Sequence, residues 1–207
     1  DLTDTSALRF HPTCYYRPDR HSPTETWPAL IAAVTDAAGR VTGAHRTWLD
    51  PDGFSDRRLG KAPVDTPRRA MGRLAGHGVR FGAPTDILAV GEGIETVLST
   101  RQAFPTLPCI AALSAGHLSA LDLPPDVRRL YILRDADPAG DAALERLLER
   151  ATAAGIAATP LTPRREDFNE DLMAFGVDRL RDDLRGQLLP EDVPRLMPRI
   201  RSHSAAG

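Results

Sequence analysis

The sequence predicts an α/β fold: a parallel sheet flanked by helices, preceded by a small mixed α+β N-terminal subdomain. Three observations carry that expectation. From residue 86 onward, short apolar runs alternate with helical patterns, and such alternation makes a parallel sheet covered on both faces. Two of the runs stop abruptly in carboxylates and glycines: Val90-Gly91-Glu92-Gly93, and Leu133-Arg134-Asp135-Ala136-Asp137-Pro138-Ala139-Gly140, whose first Asp lies 43 positions after Glu92. Open α/β sheets present ligands at that carboxyl edge. Before residue 84 the alternation is missing, and turn signals separate two apolar runs instead.

The elements follow in order. Residues 1–28 read as irregular, because Pro12, Pro18, Pro23 and Pro28 punctuate them. Residues 29–34 read as a strand, Asp36-Ala37-Ala38-Gly39 as a turn and residues 41–49 as the returning strand of a β-hairpin. Asp50-Pro51-Asp52-Gly53 closes the hairpin, and a loop leads to Lys61. A short helix is expected over 68–74 and a short strand over 79–81. The alternating half then gives strands at 87–90, 109–113, 130–133 and 156–161, with helices at 94–103, 139–154 and 169–185 and a helical turn at 117–121. Leu144, Leu147, Leu148 and Ala151 fall at i, i+3, i+4, i+7, a core-facing stripe, and Gly155 supplies the C-terminal stop. The expected divisions are therefore a basic subdomain over 1–83 with its ordered hairpin region at 29–83, an α/β domain over 84–185, and a linker or loosely docked arm over 186–207.

Composition narrows the class. A length of 207 residues suits one large domain or two small ones, and 42% hydrophobic residues suffice for a real core. No apolar stretch approaches the ~20 residues of a membrane span. The polar start Asp1-Leu2-Thr3-Asp4 carries neither a leader nor an initiator Met, so the chain reads as a fragment. Cys14 and Cys109 are far apart and unaccompanied, which implies a reducing cytoplasm and leaves no Cys pair for zinc. Net charge is −2 but uneven: residues 1–83 hold 12 Lys/Arg against 9 Asp/Glu, and residues 84–207 hold 14 against 19. A basic front beside an acidic half fits an enzyme that holds a polyanion near a metal; it fits scattered surface charge equally well.

The acidic clusters carry the candidate chemistry. Glu92 stands between two glycines that admit a backbone or phosphate closely, and Gly93 opens a helix whose N-terminus favours anions. Glu95, one residue into that helix, complements the helix dipole. Asp135 and Asp137 alternate around Ala136, and in extended backbone residues i and i+2 point the same way, so both can face one ion. Asp137 can also serve as a helix cap. Asp167 in Asp167-Phe168-Asn169-Glu170-Asp171 can cap the following helix or join a metal site. Three carboxylates at one sheet edge would form a hard-oxygen site for Mg²⁺ or Mn²⁺, and phosphoryl or nucleotidyl transfer is then the leading chemistry. Lys61 is the sole lysine among 26 basic residues, a compact charge suited to phosphate. Other motifs fail. Gly53 to Gly60-Lys61 is no P-loop, Thr96 stands where a dinucleotide fingerprint needs Gly, Ser114-Ala115-Gly116-His117 is no hydrolase elbow, and the six histidines lack ligand spacing.

Together these residues resemble the Toprim domain, shared by bacterial-type primases, type IA and II topoisomerases and some nucleases. The resemblance rests on Glu92 in Val-Gly-Glu-Gly and on Asp135 and Asp137 followed by Ala139-Gly140, and it covers about 86–184. It implies catalytic and metal-ligating roles for Glu92, Asp135 and Asp137. The preceding segment, from Gly39-Arg40 to Trp48-Leu49 and then Gly60-Lys61-Ala62, is similar to the basic segment of primase catalytic cores. It implies that Arg46 and Lys61, with Arg68, Arg69 and Gly93, meet nucleotide or DNA. Gly-Glu-Gly-Ile-Glu-Thr and Asp-Phe-Asn-Glu-Asp look most like primases of phages, plasmids and other mobile elements. The implied protein is a cytoplasmic DNA primase core that uses Mg²⁺ or Mn²⁺, nucleoside triphosphates and single-stranded DNA, alongside a replicative helicase. A Toprim nuclease and a non-catalytic nucleic-acid-binding Toprim module are the alternatives. Thr96 departs from the family, where many primases carry an acidic residue, and a zinc-binding template module is absent from the sequence.

Overall fold

The computed structural model describes residues 6–52, 60–83 and 85–197. Two sheets build it. The first is antiparallel and contains β1 (Leu8–Tyr16), β2 (Glu25–Thr35), β3 (Val41–Trp48) and β4 (Arg68–Gly72), in the order β1-β2-β3-β4. The hairpin expected around Asp36-Gly39 is present between β2 and β3. Asp36 accepts backbone N–H bonds from Ala38 and Arg40, both at 3.0 Å, and Gly39 takes a φ of 77°.

Two expectations for this half are corrected. Residues 8–16 and 25–28 are strand, not irregular coil. Pro12 falls where the β1–β2 register shifts between His11 and Cys14, an interruption on edge strand β1 that spares its missing N–H group; Pro28 lies in interior strand β2, where its carbonyl accepts the Leu49 N–H just beyond the end of β3. Residues 68–72 form edge strand β4 rather than a helix, because pairing with β3 overrides a weak local helical pattern.

The second sheet has the order β5-β7-β6-β8-β9, built from β5 (Val79–Phe81), β6 (Ile87–Gly91), β7 (Cys109–Ala111), β8 (Arg129–Leu133) and β9 (Ala157–Leu161). β5 runs antiparallel to β7 at one edge, and the other pairings are parallel. Buried on both faces, β6 and β8 read as continuous apolar runs. The connections are α1 (Ile94–Ala103), α2 (Ala115–Ser119) and α3 (Pro138–Ala153); α4 (Phe168–Arg185) and α5 (Val193–Leu196) follow β9. The predicted parallel sheet flanked by helices is thus the observed one.

The sheet separates two cores. Val97 of α1 and Phe168, Leu180 and Leu184 of α4 pack on one face; Leu118 of α2 and Ala143, Leu147 and Ala151 of α3 pack on the other. The predicted stripe of α3 lies in the second core, and Gly155 takes a φ of 70° just beyond the helix. Ala32 and Val34 of β2 join the first core, so one apolar cluster runs from the antiparallel sheet into the parallel one. Pro84, where the subdomain boundary was placed, lies outside the described residues.

The C-terminal segment docks rather than dangling, as far as residue 197. Leu188 and Leu196 enter the first core, and Asp192 is completely buried. The Tyr131 hydroxyl donates to Asp192 Oδ2 at 2.6 Å, and Arg129 pairs with Asp192 Oδ1 at 2.7 Å. Burial and the Asp192 carboxylate push the Tyr131 hydroxyl up to about 12, so it remains a donor. Arg199 and Arg201 lie outside the described residues. No described helix is long and apolar enough to cross a membrane.

Candidate active site

The carboxyl ends of β6 and β8 open into a cleft of about 1100 Å³. β6 ends at Gly91, where an added Cβ would stand 3.2 Å from the Leu133 Cβ; only glycine lets the two strand ends approach this closely without displacement. Glu92 follows. Its carbonyl accepts the Leu113 N–H at 2.8 Å, and Leu113 holds a φ of 80°, uncommon for a non-glycine residue. Its carboxylate accepts the N–H of Ala115 at the start of α2. Burial, then the Asp137 charge, raise the Glu92 carboxyl above its ordinary range; the Ala115 N–H and Arg68 oppose them.

Asp135 sits two residues beyond β8 on a pinned loop. The Arg134 N–H donates to Leu161 O at 3.0 Å and the Ala136 N–H to Glu166 O at 2.8 Å. Burial first, then the charges of Glu92, Asp167, Asp137 and Glu95, push the Asp135 carboxyl up to about 7. Its Oδ1 is buried and has no hydrogen-bond partner. A buried, unsatisfied acceptor ringed by other carboxylates is costly unless a proton or a cation relieves it.

The three carboxylates expected on one ion do not share a preformed ligand set. Glu92 and Asp135 line the cleft, whereas Asp137 does not. The i, i+2 expectation needs extended backbone, but β8 has ended and the Asp137 N–H folds back onto Asp135 O at 2.9 Å. Asp137 Oδ1 instead caps α3, accepting the Gly140 N–H at 2.7 Å. Asp167 does both things foreseen for it: it caps α4 by accepting the Glu170 N–H at 2.7 Å, and it lines the cleft. Among the described residues no three His, Cys, Asp or Glu side chains are drawn together as a metal cage.

The basic residues divide between two places. Lys61 and Arg68 reach the cleft, where Glu95 Oε1 receives Arg68 at 2.8 Å and Lys61 at 3.9 Å. Burial, then the Arg68 charge, lower the Lys61 ammonium from its ordinary value. Gly93 also lines the cleft. Arg46 does not join Lys61; it lies over the Trp48 ring at 4.8 Å, in a separate cavity with Arg69. Sequence reasoning missed Asp50, Asp52, Arg165 and Glu170 in the cleft lining and took Glu95 for a dipole residue. The Asp50-Pro51-Asp52 turn was a visible signal, since it repeats the alternating carboxylates of Asp135-Ala136-Asp137. Seven carboxylates against three cations, with the unpartnered Asp135 Oδ1 among them, form a donor set that fits a hard divalent cation.

Residues 87–178, which run from β6 into α4, match a family model described as a Toprim domain. Residues 1–81 match a family described as a domain of unknown function (DUF7146). No curated protein sequence matches the chain. The fold of the whole is that of primase catalytic cores. A DNA primase domain from Pseudomonas aeruginosa superposes with a TM-score of 0.55 at 16% identity, over 87% of this chain and 65% of that one. The primase fragment of the bacteriophage T7 primase-helicase gives 0.55 at 13% identity, over 79% of this chain and 65% of that one. The DnaG catalytic core gives 0.57 at 16% identity, over 87% and 66%. The chain therefore spans just under two thirds of the length of these structures.

Proposed function

We propose that the chain is the catalytic core of a DNA primase, joining nucleotides into short primers on a single-stranded DNA template. The observation that carries this is a Toprim carboxylate cleft rimmed by Lys61 and Arg68 from a basic sheet, within a primase-core fold. The reaction joins a primer 3′ oxygen to the α-phosphorus of an incoming nucleoside triphosphate and expels pyrophosphate. Glu92 and Asp135 would hold a Mg²⁺ or Mn²⁺ ion, with Asp137 and Asp167 adding negative charge nearby. The bound ion supplies charge neutralisation on the phosphates and eases deprotonation of the attacking hydroxyl. Lys61 and Arg68 hold the triphosphate by charge, and Glu95 fixes where those two cations stand. The Ala115 N–H orients Glu92, and Gly93 leaves room for a phosphate at the start of α1.

The buried free thiols of Cys14 and Cys109 support a reducing, cytoplasmic setting. The likeness to a fragment of a primase-helicase supports a helicase partner or neighbouring motor, and service to a phage or mobile element belongs to the same proposal. Purified chain given Mg²⁺ or Mn²⁺, nucleotides and single-stranded DNA should extend a primer, and Asp135→Ala should lower the rate at least a hundredfold. Extension by Asp135→Ala at the wild-type rate refutes the proposal. Metal-dependent cleavage of nucleic acid without nucleotides assigns the cleft to a nuclease instead.

A further inference from the structure

Among the described residues, one amide side chain lines the carboxylate cleft: Asn169, in the first turn of α4, inside the acidic run Asp167-Phe168-Asn169-Glu170-Asp171. Three members of that run hold the helix in place. Asp167 caps it, Phe168 is buried in the first core, and Asp171, 3% exposed, accepts the N–H groups of Arg164 at 2.8 Å and Arg165 at 3.0 Å. The turn is thereby fixed at its cap and along its inner side. Asn169, Glu170, Met173 and Ala174 form the side left toward the cleft.

The Asn169 amide is held at one end and open at the other. Its Oδ1 accepts from the Ser99 hydroxyl at 3.3 Å, and Ser99, in α1, is 2% exposed. Its Nδ2 donates to Met173 Sδ at 3.7 Å, one turn along the helix. The thioether decides which end is which. Sulfur accepts weakly and donates nothing, so it faces the NH₂ and leaves the oxygen to the hydroxyl. An NH₂ carries two hydrogens, so one N–H of Asn169 has a weak partner and the other has none among the described residues. This donor stands among seven carboxylates and pairs with none of them. Asp167 Oδ1 is taken by the Glu170 N–H, and Glu95 Oε1 by Arg68 and Lys61. Asp167 acts on the Lys61 charge, so the turn that carries Asn169 borders the place where, on the primase reading, Lys61 meets phosphate.

A neutral donor suits such a wall. A further cation would be drawn to the carboxylates, and a further carboxylate would repel a polyanion. An amide offers an N–H to a phosphate oxygen and leaves the charge of the cleft unchanged. We infer that Asn169 is a substrate-binding residue whose Nδ2 donates to a phosphate oxygen of the incoming nucleotide, with Ser99 the positioning residue that turns it toward the cleft. The inference rests on the primase reading for the identity of that substrate. Calorimetric titration of the intact chain with ATP in Mg²⁺ reads nucleotide affinity directly, without primer or template. Asn169→Ala should weaken ATP binding about tenfold, the loss of one hydrogen bond to a charged acceptor. Asn169→Asp, equal in size, should weaken it about a hundredfold, because a charge that repels phosphate replaces the donor. Ser99→Ala should weaken it about threefold by freeing the amide to turn. Asn169→Ala and Ser99→Ala should keep the wild-type affinity for Mn²⁺ in the absence of nucleotide. Asn169→Ala should also keep the wild-type melting temperature or raise it, because alanine is the better helix former; a merely structural role would lower it. Wild-type ATP affinity in Asn169→Ala, no ATP binding by the wild-type chain, or a loss of Mn²⁺ affinity equal to the loss of ATP affinity overturns the inference. Wild-type ATP affinity in Ser99→Ala overturns the role given to Ser99. Primer extension is scored apart. A chain that binds ATP through Asn169 but extends no primer fails the primase reading alone, and one that extends primers with wild-type ATP affinity in Asn169→Ala fails this inference alone.

Discussion

At Asp135, pH and stability are linked with a definite sign. The carboxyl sits near 3.9 in an unfolded chain but is pushed up to about 7 in the fold by burial and by Glu92, Asp167, Asp137 and Glu95. A raised carboxyl means the folded state keeps its proton longer, so this residue costs stability increasingly as pH rises from about 4 through about 7. Asp135→Asn should therefore raise the melting temperature at pH 8, by an amount worth on the order of 1–2 kcal/mol, and change little at pH 4. Thermal melts at the two pH values check this, and an equal shift at both refutes it. Glu92 and Asp135 were legible in the sequence because each follows an apolar run that stops in glycine or a turn. Glu95 was not, because its partner Arg68 is 27 positions away and only the fold joins them. Arg46 was grouped with Lys61, but strand alternation sends the Arg46 side chain to the opposite face.

Among the elements, α3 ties its own packing to the site. Its residue Gly140 lies under the Asp135 carbonyl, and a Cβ there would approach that oxygen to 2.3 Å. An alanine usually favours a helix over glycine by about 1 kcal/mol, but contact with fixed backbone reverses the sign here. Gly140→Ala should cost about 1–3 kcal/mol and depress primer extension by displacing Asp135. Gly116→Ala in α2, whose Cβ would meet only Ser114 Oγ at 4.0 Å, should be tolerated. Chemical denaturation of both variants decides between a specific collision and general sensitivity to added methyl groups. The alternating half was readable element by element because 3.6-residue stripes and continuous apolar strands are strong signals. β1 and β4 escaped because they are edge strands: Pro12 is tolerated at the β1 bulge, and the exposed residues of β4 carry no clean period-2 pattern.

For the whole molecule, charge segregation becomes geometry. The sheet order puts the Toprim carboxylates at one rim, and the antiparallel sheet brings Lys61 and Arg68 onto that rim while Arg46 and Arg69 face elsewhere. The uneven charge along the sequence foreshadowed this meeting of a basic half with an acidic one. The docked C-terminal segment was not foreseeable, since its anchor is a buried Asp192 held by Tyr131 and Arg129 from a distant strand. The central physical claim is that Glu92 and Asp135 hold a divalent cation in the shared cleft. Titration of Mn²⁺ into the intact chain, followed by electron paramagnetic resonance, tests it most directly. Wild type should bind the ion, and Glu92→Gln and Asp135→Asn should each lower the affinity about tenfold or more, a loss of ~1.4 kcal/mol. Wild-type affinity in both variants, or no binding by the wild-type chain, would contradict it.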